Sequence, residues 1–211
     1  MSTPSNRTAG ALLLDIATTI GIVTALIYAA GYTYANHYFG HFSVGLLTLA
    51  IPKEYFFMYG FWVLKDWWWA LLLAYIVFVL CNIGYPIWIS PRLSRWQTQH
   101  LLLLKHLQVL AALLAFVVAW WLAALSAEQY YDSQQERRFI DYPHIQVWLK
   151  TSPKNTDLQK LYDSLAEGSY RLLLQNQSKL FLFKPPRDAQ PARLAVIEVA
   201  TSDVQSLRVL P

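Results

Sequence analysis

Charge is scarce in this chain. Only 14% of its 211 residues are Asp, Glu, Lys or Arg, while 55% are apolar and 15% aromatic. An average soluble domain is about one quarter charged. So little charge is at odds with a purely soluble or disordered chain, which would expose too much apolar surface. Cysteine is nearly absent as well. Cys81 is alone and lies in an apolar run, so no intrachain disulfide forms and the thiol reads as a small hydrophobe. Eight glycines are present, and none falls in a P-loop or a G-x-G-x-x-G pattern. Gly168-Ser-Tyr is not a nucleophile elbow, and no HExxH occurs. These absences remove the usual signatures of nucleotide, hydrolase and zinc-peptidase chemistry. No cofactor and no metal is expected, and the chain reads as a non-enzyme.

The charges that exist are unevenly placed. Residues 1–126 hold six bases (Arg7, Lys53, Lys65, Arg92, Arg95, Lys105) and three acids (Asp15, Glu54, Asp66). Residues 127–211 hold the other eleven bases (17 − 6) and ten acids (13 − 3). The division predicts a membrane region over 1–126, a juxtamembrane linker over 127–141 and a small soluble domain over 142–211. Net charge is +4, but the tail's share is only +1 (11 − 10) and alternates in sign. No basic stripe follows a phosphate backbone, so nucleic acid is not an expected partner.

Three apolar stretches are long enough to span a bilayer, which takes about 20 residues. They run over 12–32, 67–89 and 107–125. The first is no cleavable leader, because its apolar core is too long and no small-x-small site follows. Asp15 near its start suits the positive end of a helix dipole. The second is bracketed by Trp67, Trp68 and Trp69 at one end and Tyr85 and Trp88 at the other. Tryptophan and tyrosine favour the headgroup level. The third carries Trp120 and Trp121 near its far end. Between the first two, residues 42–64 form two apolar decamers, Phe42–Ile51 and Tyr55–Leu64, split by Pro52-Lys53-Glu54. Each decamer is too short to cross, so an interfacial or re-entrant helical pair is expected there, with a fourth span as the alternative.

The connector 91–105 holds Arg92, Arg95 and Lys105 and no acid. The positive-inside rule then places it in the cytoplasm and the C-terminal domain on the far side, periplasmic in a bacterium. Two ridges of small residues recur every four positions: Ala17, Gly21, Ala25, Ala29 in the first span and Ala111, Ala115, Ala119, Ala123 in the third. Such ridges let helix backbones approach closely in lipid. They mark expected packing faces, within one protomer or between copies.

In the tail, Ile145–Lys150 alternates as a strand does. Thr156-Asp-Leu-Gln159 resembles a capping box, and Leu158, Leu161, Tyr162 and Leu165 follow helical spacing up to Gly168. These four side chains are expected to face the strands. Strands are expected over 170–175, 179–184, 193–200 and 204–210, giving β-α-β-β-β-β in a small α+β domain. His37 and His41 share a helix face at a spacing that zinc sites use, but an interfacial aromatic belt with Tyr34, Tyr38, Phe39 and Phe42 accounts for them. Three roles fit this organisation. The first is a non-enzymatic inner-membrane subunit or sensor that oligomerises, or binds another membrane protein, through its small-residue faces. The second is an immunity or anti-phage defence factor. The third is an oligomeric channel.

Overall fold

The structure, a computed structural model, describes residues 5–88, 101–151, 155–186 and 193–210. Among the described residues, four helices come first: α1 (Ser5–Gly40), the single turn α2 (Leu46–Leu49), α3 (Lys53–Trp88) and α4 (Leu101–Glu136). The tail follows as β1 (His144–Leu149), α5 (Thr156–Ala166), β2 (Tyr170–Gln175), β3 (Lys179–Phe183), β4 (Val196–Ala200) and β5 (Val204–Leu210). The chain divides into two compact units. One comprises residues up to Tyr34 together with Glu54–Ser126, and the other Ala35–Lys53 together with Ala127–Pro211. Residues 35–53 and 127–141 therefore group with the tail.

Among the described residues, two helical stretches are long and apolar enough to cross a membrane, Ile16–Gly40 and Leu113–Glu136, and the far end of each falls in the second unit. Their far ends lie past the expected 32 and 125: Tyr34, Tyr38 and Phe39 continue the first, whereas residues 126–136 of the second are mostly polar. The expected span 67–89 is part of α3, and its last residue lies outside the described ones, as do 91–100 of the basic connector. The expected helical pair over 42–64 takes a different form. Phe42–Ile51 yields only α2, closed by Ala50 in the left-handed region (φ 50°). Pro52 separates it from α3, as a residue without an N–H must. Tyr55–Leu64 then continues through Lys65 and Asp66 into one helix of 36 residues. No proline interrupts it there, and two charged side chains do not break a helix.

The second unit is built on a five-stranded antiparallel sheet of order β4-β3-β2-β1-β5. β3 is covered on both faces. Leu180 and Leu182 join Ile145, Val147, Leu165, Tyr170 and Val199 in one core. Phe181 and Phe183 alternate with them, so they face the opposite side, and both are fully buried. The outer strands β4 and β5 are joined by only three residues, Thr201–Asp203. In a flat sheet their separation would be four spacings of about 4.8 Å, roughly 19 Å. Four Cα steps reach only about 14 Å. The sheet must therefore curl. β1 accordingly leaves β2 after His144 and Ile145 but stays paired with β5 along its length. Bonds from Thr201 N–H to the Ser178 carbonyl (2.8 Å) and from Lys150 N–H to the Asp203 carbonyl (2.9 Å) fasten the short link.

Helix α5 packs beside β1. Its cap is Asn155, one residue earlier than the expected Thr156, and the Asn155 side chain accepts the Asp157 N–H at 2.9 Å. Gly168 takes φ +80° just past the end, the conformation a closing glycine supplies. Leu165 is buried and Leu161 packs against the core, whereas Leu158, expected to face the strands, is 46% exposed. Leu165→Ala should therefore cost about 2–5 kcal/mol and make the sheet domain of the intact protein readily cleaved by protease. Leu158→Ala should leave the cleavage pattern unchanged. Equal resistance of the two variants would contradict this packing.

Candidate functional site

Two places in the chain combine unusual geometry with polar or small residues. The first is the packing of α1, α3 and α4 in the helical unit. Gly31 and Gly60 are both buried, and each lies against the other helix's backbone. A Cβ on Gly31 would collide with the Phe56 carbonyl oxygen, and one on Gly60 with the Ile27 carbonyl oxygen. Only glycine permits two helices to come this close. Rings border the crossing: Tyr28 meets Phe56 edge-on at 5.7 Å, and Tyr34 stacks on Tyr59 at 5.6 Å. From α3, Trp67 Nε1 donates to Ser126 Oγ of α4 at 2.8 Å. The indole thus finds a partner where an apolar setting would leave it unpaired.

The two ridges take different positions. Ala17, Gly21 and Ala25 are exposed, Ala29 is half-buried, and nothing stands within 4 Å of a Cβ placed on Gly21. Ala115 is exposed, Ala119 half-buried and Ala123 fully buried; the side chain of Ala111 is outside the described ones, as is that of Asp15. The tight crossing falls on Gly31, off the four-residue repeat that runs through Ala29. A glycine in each of two neighbouring apolar helices was the available signal, but it does not say which glycine meets which helix.

The second place lies in the sheet-bearing unit, where α1 ends. His41 lies flat on Tyr131, with ring centroids 4.1 Å apart and planes 14° apart. Its backbone carbonyl accepts the Leu194 N–H at 2.9 Å. Burial pushes the His41 imidazole below its ordinary pKa, and Glu128 and Asp132 partly offset this. His37 and Arg193 act in the same direction as burial. Nearby, α4 ends in a tight turn. Arg138 and Phe139 both adopt left-handed φ (53° and 54°), and the Phe139 N–H bonds the Gln134 carbonyl at 2.6 Å. The strained turn drives Phe139 into full burial. Asp141 receives Gln134 Nε2 at 2.6 Å and pairs with Arg137 at 3.0 Å. Buried Arg171 donates through Nη1 to the Tyr142 carbonyl, and burial lowers its pKa.

Among the described residues, no three His, Cys, Asp or Glu side chains come together as a metal site would require. His144 stands apart from the His41 group, with Nδ1 3.3 Å from the Gly168 carbonyl oxygen. No protein-family model, curated protein or solved structure matches the chain.

The glycine crossing makes a sharp prediction. Gly31→Ala and Gly60→Ala should each lower the melting temperature of the detergent-solubilised protein, because overpacking costs about 1–3 kcal/mol or more where backbone is the obstacle. Gly21→Ala, placed in open space, should melt like the parent. A uniform response across all three would refute the close approach.

Proposed function

We propose that this chain is a multi-pass, non-enzymatic protein of a bacterial inner membrane, a membrane subunit or sensor that holds its sheet domain on the periplasmic side. One observation carries the reading. In each of the two long apolar stretches, only 17% of the most apolar window is buried by protein. A core helix of a soluble protein would be mostly covered. Here Ile20, Leu113, Leu114 and Val117 all present their side chains outward. In water such a surface would drive aggregation, and in hydrocarbon it costs nothing. The bilayer is the occupant that suits it.

Three crossings are the proposed topology, with α3 supplying the middle one. Each long helix has 36 residues, about 54 Å at 1.5 Å per residue, against roughly 30 Å of hydrocarbon. About 24 Å of each would stand outside the hydrocarbon, enough to link a span to a folded domain. Arg92, Arg95 and Lys105 favour a cytoplasmic connector. Self-association through α1 completes the proposal, because Ala17, Gly21 and Ala25 have small side chains left exposed.

Alkaline extraction should leave the protein in the membrane pellet, and a reporter fused after Pro211 should be active only when exported. Release by alkali, or strong cytoplasmic reporter activity, would overturn the membrane reading or its orientation respectively. Gly21→Ile has room within the protomer, so the fold should survive while the detergent-solubilised oligomer falls to monomer. Ile22→Leu serves as the control. An unchanged assembly in Gly21→Ile would mean that this face meets lipid instead.

A further inference from the structure

The His41 group belongs to the sheet-bearing unit and is not explained by membrane anchoring. Two pairs spaced four residues apart contribute to it: His37 at the end of α1 with His41 just beyond it, and Glu128 and Asp132 from α4. Arg193 comes from the segment that precedes β4. Tyr131, between the two acids in sequence, supplies the ring on which His41 lies at 4.1 Å. The same histidine holds Leu194 through its carbonyl. One residue thus links the end of α1 to the approach to β4, and charges of both signs act on its side chain.

We propose that His41 is an acid-sensitive latch: with its ring neutral on Tyr131 it retains the Arg193–Leu194 segment, and protonation releases that segment.

Burial is the largest of the forces on a protonated ring, and the nearby charges act in both senses. Glu128 and Asp132, both on α4, draw the new positive charge toward themselves. His37 on α1 opposes it, as does Arg193. Arg193 immediately precedes the residue whose N–H the His41 carbonyl holds. Repulsion between the two cations therefore acts across the very contact to be broken. Burial adds to this, since a charged imidazole is better solvated once the segment has opened. The sign follows from linkage. His41 in the closed form binds its proton below the ordinary value of 6.5, so the open form takes the proton first. The latch is closed above that pH and weakens progressively as pH falls below it. Histidine is the side chain whose charge changes in this range.

The test is amide hydrogen exchange of the full-length protein in detergent micelles, corrected for the intrinsic pH dependence of exchange. Protection at Leu194 is compared with that at Thr201, whose N–H is bonded to the Ser178 carbonyl in the same unit. Between about pH 7.5 and about pH 5, the Leu194-to-Thr201 ratio should fall, because the imidazole gains its charge across this range. In His41→Gln the ratio should not change with pH. An unchanged ratio in the parent protein, or an equal fall in His41→Gln, would overturn the proposal. If His41→Gln opens Leu194 at both pH values, Arg193→Gln decides. A smaller fall in that variant supports the latch, and an undiminished one refutes it.

Discussion

Phe183 is where the sheet-bearing unit is joined. Its ring lies 5.1 Å from Phe42, 5.2 Å from Phe139 and 5.5 Å from Tyr142, all in edge-on arrangements. These rings come from the turn after α1, the turn after α4, the approach to β1 and the end of β3. Edge-to-face pairs of this kind add about 0.5–1.5 kcal/mol each beyond the area they bury. Much else in the unit depends on this junction. The left-handed turn at Arg138 and Phe139 exists to deliver one ring to it. Burial of β3 on both faces follows from its placement against it. It also explains why residues 35–53 group with a domain that begins almost a hundred residues later in the chain.

Much of the sheet domain was legible in the sequence. The strands at 144–149, 170–175, 179–183 and 204–210 fall within a residue of their expected limits. Alternation and turn residues are local signals, and Asn176 illustrates why they work. Its side-chain oxygen accepts the N–H groups of Ser178 and Lys179, closing the turn without help from elsewhere. β4 begins at Val196, three residues after the expected Arg193, because Leu194 is diverted to His41. That diversion is long-range and leaves no local trace. The curl of the sheet was equally hidden, since it follows from the pairing of β5 with β1, which no neighbouring residues announce.

The helices were less legible. Pro52 was readable as a break, and the structure breaks there. The continuity of α3 through Lys65 and Asp66 was not, because a charged pair between apolar runs looks like a boundary when lipid is assumed on both sides. Close approach at Gly31 and Gly60 depends on which two helix faces meet. A repeat such as Ala17 to Ala29 indicates a small-residue face but not its partner. For the His41 group, the spacing of His37 and His41 was visible, while the facing acids Glu128 and Asp132 lie almost ninety residues away. What the sequence conveyed about chemistry was mainly negative, and the apolar surface of the long helices supplies the positive part of the functional reading.

The three-residue link between the two sheet edges has a consequence for how the domain is made. β1 obtains only two paired residues from β2, so its main partner is β5. From Leu149 to Val204 is 55 residues (204 − 149). At a synthesis rate of about 5–20 residues per second, β1 waits about 3–11 s for that partner to emerge. Throughout that interval its hydrogen-bonding edge is open to any other extended segment. The nascent domain is therefore most vulnerable to mispairing along β1, and a holdase that masks one short strand for a few seconds would be sufficient to protect it.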